Sequence, residues 1–256
     1  MTRLLLAAVA AVTLASAGSA ADPLLYELRI YTAEKGKLDA LNARFRDHTL
    51  KLFEKHGMKN IGYWVPTNGE EKLYYIIAHK DKATRDKSFA DFGKDPEWQK
   101  AFRESQKDGS LTTKDGIQAI FLTATDYSPP VKVEVAKEPR VFELRTYTAS
   151  KGNLDNLNAR FRDHTLKLFE KHGMTNYAYF TYAKGLNKTG EDTQLVYLLA
   201  HKSEDAAKKS FDTFRADPDW VAARKASEDK AGGSLTEKEG GVKSLFLKPT
   251  DYSPTK

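Results

Sequence analysis

The chain has 256 residues, with 41 Lys and Arg against 35 Asp and Glu, and it contains no cysteine. The lack of cysteine excludes disulfide bonds and cysteine nucleophiles. The two charge signs are interspersed, without the basic stripe that nucleic-acid binding proteins carry, so we expect no nucleic-acid partner. The length and composition are those of a globular protein with one large domain or two ordinary ones.

Residues 1–21 have the pattern of a secretory signal peptide. Arg3 precedes an apolar run over 4–14 that is too short to span a bilayer, and small residues follow up to Ala21. Cleavage after Ala20 or Ala21 would remove one basic residue, so the formal charge falls from +6 to +5. We predict an exported protein, periplasmic or extracellular, that is not membrane-spanning.

The predicted elements follow in the order strand, helix, strand, strand, helix, strand. The first strand covers 24–31, and an amphipathic helix over 36–56 ends at Gly57. Two strands are predicted over 58–65 and 73–79. A second helical segment, 81–107, is interrupted at Asp95 and Pro96, and the last strand covers 117–122.

The same order returns in the second part of the chain. Residues 26–58 and 142–174 are identical at 28 of 33 positions, and both copies end in the pentapeptide TDYSP. The duplication predicts a first repeat over 22–129, a connector over 130–139 and a second repeat over 140–256.

Each repeat predicts an α+β fold of the ferredoxin-like βαββαβ type, with both helices on one face of an antiparallel sheet. The third strands, LYYIIAH and LVYLLAH, are apolar on both faces and should be covered on both faces. We therefore expect the two sheets to pack together as a barrel within one chain. A monomer suffices for this pseudo-dimer, and further self-association is left open.

Two motifs carry a family resemblance. The stretches YELRIYTAEKGKLDALNARF and FELRTYTASKGNLDNLNARF, each followed by His-Gly at the helix end, resemble the NIPSNAP family of the dimeric α/β-barrel superfamily. The resemblance covers essentially the whole mature chain and implies the tandem barrel. The superfamily includes oxygenases, isomerases and haem-degrading enzymes, so it implies no single reaction. Haem on a histidine is one option by analogy, but the sequence selects no cofactor.

The charged face of the first strand allows two interpretations. Glu27 and Arg29 can pair with each other, or with their counterparts in the second repeat, as an internal salt-bridge network. Alternatively, the arginines bind a carboxylate or phosphate with help from neighbouring tyrosines. The candidate ligand-binding residues are Arg29, Tyr31, Tyr63, Arg145, Tyr147 and Tyr179.

The six histidines form three matched pairs. His56 and His172 end the first helix of each repeat, where an imidazolium favours the helix dipole. His48 lies at the border of the apolar helix stripe, and His79 shares a strand face with Tyr75. The candidate acid–base residues are His48, His79, Tyr75, His164, His201 and Tyr197. Metal-binding histidine motifs are absent from the sequence, so we predict no metal site.

These observations support two hypotheses of different classes. In the first, the exported protein binds a small-molecule ligand in pockets of the half-barrels, with the candidate residues orienting it or transferring protons. In the second, the protein is a non-enzymatic interaction module. Its binding surface would be the identical exposed charges of the first helices, which in the first repeat are Arg46, Asp47, Lys51, Glu54 and Lys55.

Overall fold

The computed structural model describes residues 24–256, so the predicted signal peptide lies outside it. The first half contains two types of element in the predicted order. Its strands are β1 (Leu25–Ala33), β2 (Lys59–Pro66), β3 (Lys72–His79) and β4 (Thr112–Ala124). Its helices are α1 (Leu38–Arg44), α2 (Leu50–Lys55), α3 (Lys82–Lys94) and α4 (Pro96–Ser105).

The second half repeats this arrangement. Its strands are β5 (Val141–Thr148), β6 (Thr175–Tyr182), β7 (Gln194–His201) and β8 (Val242–Pro249). Its helices are α5 (Leu154–Arg160), α6 (Leu166–Lys171), α7 (Glu204–Ala216) and α8 (Pro218–Ala231). None of the helices within residues 24–256 is long and apolar enough to cross a membrane.

The break between α3 and α4 has a local cause. Asp95 adopts an extended conformation, and its side chain accepts a hydrogen bond from the Glu97 amide, which caps the new helix. Pro96 occupies the first helical position, where no amide donor is needed. Asp217 caps α8 through the amide of Asp219 in the same way.

A π-helical turn, Phe45–Thr49, separates α1 from α2, whereas the sequence predicted one regular helix. The amide of Leu50 bonds to the carbonyl of Phe45, five residues earlier. The Thr49 hydroxyl donates to the Arg44 carbonyl at 3.2 Å. The second half repeats the turn at Phe161–Thr165. Because a π turn holds one extra residue, it rotates the side chains that follow it relative to a regular helix.

The eight strands form one closed antiparallel barrel in the order β1-β3-β2-β8-β5-β7-β6-β4, with β4 returning to β1. Within each half, the first and third strands pair over eight residues. The halves join at two shorter seams of three residue pairs each, β2 with β8 and β4 with β6. The predicted tandem α/β barrel is thus confirmed, and one chain closes it.

The alternation of side chains creates two kinds of apolar layer. The inward residues of both halves form one cluster inside the barrel, where the ring of Tyr26 lies 5.0 Å from that of Phe180. The outward residues pack under the helices as one separate cluster in each half. On β3, Tyr74 and Ile76 point inward while Tyr75 and Ile77 point outward. The predicted double covering of this strand is confirmed.

The repeated pentapeptide TDYSP forms a crossed clasp between the halves. Tyr252, from the end of the second half, donates to Asn42 on α1 at 2.6 Å. Tyr127, from the end of the first half, donates to Asn158 on α5 at 2.7 Å. Next to each tyrosine, an aspartate accepts a two-pronged bond from an exposed arginine of the other half, as Asp251 does from Arg46 at 2.7 Å.

Candidate functional site

The polar face of β1 points outward, beneath the helices, and not into the barrel. Glu27 is fully buried, and its carboxylate accepts from Arg29 at 2.5 Å. Arg85 of α3 adds two bonds of 2.8 Å. Burial alone would raise the pKa of Glu27, but the bonds from Arg85, the nearby His79 imidazole and the charge of Arg29 outweigh it and hold that pKa well below its usual range. The salt bridges of Glu27 therefore form within the first half and do not lock the halves together.

The second half builds the same cluster with fewer charges. Glu143 accepts from Arg145 at 2.5 Å, from Ser244 at 2.5 Å and from His201 at 3.1 Å. Ala207 stands where the first half has Arg85. Burial would raise the pKa of Glu143, yet His201 and the other donors lower it below the ordinary value. One buried carboxylate is thus balanced by two arginines in the first half and by one in the second.

All three guanidinium nitrogens of Arg145 donate hydrogen bonds to other side chains of the protein. Its three nitrogens bond to Glu143, to the Tyr197 hydroxyl at 2.9 Å and to the Tyr147 hydroxyl at 3.3 Å. Arg29 similarly donates to Tyr31 at 3.2 Å. This geometry makes the two arginines orienting groups for tyrosines. Every guanidinium nitrogen of Arg145 is bonded, whereas Nε of Arg29 is buried and makes no hydrogen bond within residues 24–256.

In each half, a candidate tyrosine of the second strand stacks on one of the third strand. Tyr63 lies 5.1 Å from Tyr75, and Tyr179 lies 5.0 Å from Tyr197, with nearly parallel rings. All four are inaccessible to solvent. Burial raises their pKa well above the usual value, so the phenols stay protonated and cannot act as bases near neutral pH.

The histidine pairs lie in three different environments. His79 and His201 are buried, with Nε2 at 3.5 Å and 3.1 Å from the carboxylates of Glu27 and Glu143. His56 and His172 bond to the capping residues Asp95 and Asp217 at 2.7 Å and 2.6 Å. These bonds connect the end of α2 to the start of α4, and the end of α6 to the start of α8.

His48 and His164 are exposed, because the π turn moves them off the apolar stripe. His164 lines an open groove of about 650 Å³ between α6 and α8. The other predicted site residues of each half gather under the helices, so these two histidines lie apart from them.

Arg44 and Arg160, which the sequence reasoning did not select, are the buried cations of the first helices. They are 6% and 7% exposed, at the last positions of α1 and α5. Nε of Arg44, and both Nε and Nη1 of Arg160, are buried and make no hydrogen bond within the described residues. Each arginine directly precedes a π turn, and its side chain is buried between the helices and the sheet.

Arg160 faces a pocket of about 220 Å³ between the sheet and the helices of the second half. The pocket combines an apolar wall with a few polar groups. Its lining residues are Tyr147, Arg160, Phe161, Thr165, Phe169, Phe214, Trp220, Arg224, Glu228, Ser234, Thr236 and Val242. The guanidinium of Arg160 lies over the Trp220 ring, 5.3 Å from its centre. Burial lowers the pKa of Arg160, and the nearby charge of Glu228 opposes that change.

The NIPSNAP family model matches residues 26–129 and 142–254, one match for each half of the barrel. The chain belongs to the NIPSNAP family. No curated protein has a significant sequence match to it.

Several solved structures share the fold of this NIPSNAP protein. A candidate monooxygenase from Lactobacillus acidophilus superposes with a TM-score of 0.54 at 12% identity, over 89% of this chain and 94% of that one. One from Fusobacterium nucleatum gives 0.55 at 9% identity, over 89% and 92%. A candidate chlorite dismutase gives 0.50 at 12% identity, over 90% and 96%. At such identities the likeness concerns the fold alone.

The two halves of the NIPSNAP chain differ at the mouth of the pocket beside Arg160 and at the corresponding position beside Arg44. Phe102 of α4 and Gln106, the residue directly after α4, correspond in sequence to Arg224 and Glu228 of α8. In the first half the Arg44 guanidinium lies over the rings of Trp98 and Phe102, at 5.4 Å and 5.5 Å. Tyr31 is buried there, whereas its counterpart Tyr147 is partly exposed. The second half therefore presents the more open and more charged site.

Two further expectations concern metals and exposed charges. Within residues 24–256, no group of three or more His, Cys, Asp or Glu side chains is arranged to hold a metal ion.

The exposed charges of the first helix bond largely within the chain: Lys51 and Lys55 pair with Glu97, and Glu54 accepts from Asn60. Together with the Arg46 clasp, these contacts give the repeated surface charges an intramolecular role.

Proposed function

We propose that this NIPSNAP protein binds a small organic anion in the pocket of its second half, with Arg160 as the anchor. The observation that carries the proposal is the guanidinium of Arg160, buried beside a pocket while two of its nitrogens make no hydrogen bond to any residue from 24 to 256. Buried donors without acceptors are costly, so such a group favours binding of an acceptor. A carboxylate accepts strong, charge-assisted hydrogen bonds from a guanidinium.

The rest of the pocket supports a ligand with an apolar body. Phe161, Phe169 and Trp220 line it beside the charged groups. A volume of about 220 Å³ suits a short or aromatic monocarboxylate. The Tyr147 hydroxyl, polarised by Arg145, is available to bond to a second oxygen of the ligand.

Within this proposal, the residues predicted from the sequence act mainly from behind the pocket. Glu143 and His201 hold Arg145, and Arg145 in turn orients Tyr147 and Tyr197. We assign these groups a positioning role, and Tyr147 the ligand contact. The interaction-module hypothesis receives less support, since most of the charges that motivated it bond within the chain.

Isothermal titration of the protein with butyrate and benzoate tests the proposal. We expect Arg160→Gln to weaken binding by about 10-fold to 100-fold, because a hydrogen bond to a charged group contributes ~1.5–3 kcal/mol. Arg44→Gln makes the same change in the other half and should leave that binding unchanged. Equal affinities of Arg160→Gln and the unaltered protein, with both folded by circular dichroism, would contradict the proposal.

We also propose that the protein is exported, on the basis of residues 1–21. N-terminal sequencing of the protein purified from the cell envelope checks this, with Ala21 or Asp22 expected as the first residue. A chain that still begins at Met1 in the cytoplasmic fraction would count against export.

A further inference from the structure

The pocket around Arg160 contains a carboxylate of its own. Glu228 Oε1 lies 3.6 Å from Arg160 Nη1, close enough for an ion pair but too far for a hydrogen bond. The same carboxylate accepts from Nε of Arg224, one helical turn earlier, at 3.3 Å and 3.4 Å. Glu228 therefore balances Arg160 electrostatically and leaves its donors free.

The formal charges of the lining residues leave room for one more negative charge. Two of them, Arg160 and Arg224, are positive and one, Glu228, is negative. A ligand with one carboxylate would bring the local sum to zero. A ligand with two would reverse its sign and place a second anion near Glu228, which costs free energy in a partly buried site.

We propose that Glu228 is a built-in counterion that selects monoanions. A ligand carboxylate binds the free donors of Arg160, while Glu228 keeps its hydrogen bonds to Arg224. This inference rests on the proposed function and names the ligand class of the same site. Arg224 suits the second role, because its side chain is 60% exposed and lies at the pocket mouth, whereas that of Arg160 is 6% exposed.

The first half supplies the natural comparison. Its residue at the position of Glu228 is Gln106, and its residue at the position of Arg224 is Phe102. Glu228→Gln therefore installs a side chain that the same fold already accepts at that position. Gln106→Glu makes the reverse change away from the pocket and serves as the matched control.

The test compares butyrate with succinate, two four-carbon acids that differ by one charged group. For the unaltered protein we expect butyrate to bind at least ~10-fold more tightly than succinate. Glu228→Gln should tighten succinate binding and reduce the preference to about threefold or less, and Gln106→Glu should leave it unchanged.

The outcomes separate this inference from the function on which it rests. Suppose that butyrate binding depends on Arg160 but Glu228→Gln leaves the preference for butyrate unchanged. That result would overturn the role of Glu228 and leave the proposed function in place. Binding of neither acid to any variant would overturn the proposed site and this inference with it. A thermal melt of each variant identifies any that fails to fold, and Glu228→Ala then provides a second removal of the charge.

Discussion

At the scale of single residues, the two buried carboxylates are balanced differently. Glu27 bonds to two guanidinium groups, those of Arg29 and Arg85. Glu143 bonds to one guanidinium and to the neutral hydroxyl of Ser244. Removing a carboxylate leaves its cationic partners buried without compensation, and the loss of free energy grows with their number.

We therefore expect Glu27→Gln to lower the free energy of unfolding by ~3–5 kcal/mol, the usual effect of breaking a buried ion pair. Glu143→Gln should lower it by clearly less, because one guanidinium instead of two loses its partner. Urea denaturation of both variants measures the difference. Equal losses would show that Arg85, which is partly exposed, contributes little to the cluster.

The site residues show where sequence reasoning succeeds and where it fails. The face shared by Glu27, Arg29 and Tyr31 followed directly from strand alternation. A regular helical wheel places His48 about 20° and Arg44 about 60° outside the apolar stripe, so it favours the histidine as the inward group. The structure has the opposite arrangement, with Arg44 buried and His48 exposed.

At the scale of elements, the π turn explains the exposure of His48, which lies within it. A propensity-based prediction assumes 3.6 residues per turn, and the sequence around Phe45–Thr49 contains no glycine or proline to signal a change. The strands and the helix break at Pro96 were predictable, because alternation, capping aspartate and proline act locally. The pocket was not, because it depends on how α8 packs over α5.

The crossed clasp is the element-scale feature that joins the halves outside the barrel. Tyr252→Phe and Tyr127→Phe each remove one hydrogen bond to an asparagine of the other half. Each should lower the free energy of unfolding by ~1 kcal/mol. The two losses should add, since the clasps involve separate partners.

Urea denaturation of the two single variants and the double variant checks this. Tyr182→Phe, outside the clasps, is the control and should stay within ~0.5 kcal/mol of the unaltered protein. A double variant no less stable than either single one would show that the clasp does not act as two independent bonds.

At the scale of the whole molecule, residues of both halves fill the barrel interior. Residues of all eight strands meet in one apolar cluster, and neither half can cover its inner sheet face alone. The sequence predicted this from the duplication and the doubly apolar third strands. The sequence could not assign different roles to the halves, because the residues that differ, Arg224 and Glu228, are not part of a recognisable sequence motif.

The C-terminal residue lies beside the connector between the halves. The amide of Lys256 bonds to the carbonyl of Glu134, and its carbonyl accepts from the Ala136 amide at 2.9 Å. Lys256 is thus hydrogen-bonded to the connector through which the first half continues into the second. The order in which the two halves are translated should then be interchangeable.

A circular permutant that begins at residue 140, runs to Lys256 and continues through a copy of residues 132–139 into residues 24–131 should close the same barrel. We expect its butyrate affinity to match that of the parent, because each ladder and the Arg160 pocket are formed by the same residues. Calorimetric melting and titration compare the two proteins. A permutant that aggregates or melts in two steps would show that the first half must precede the second for the barrel to form.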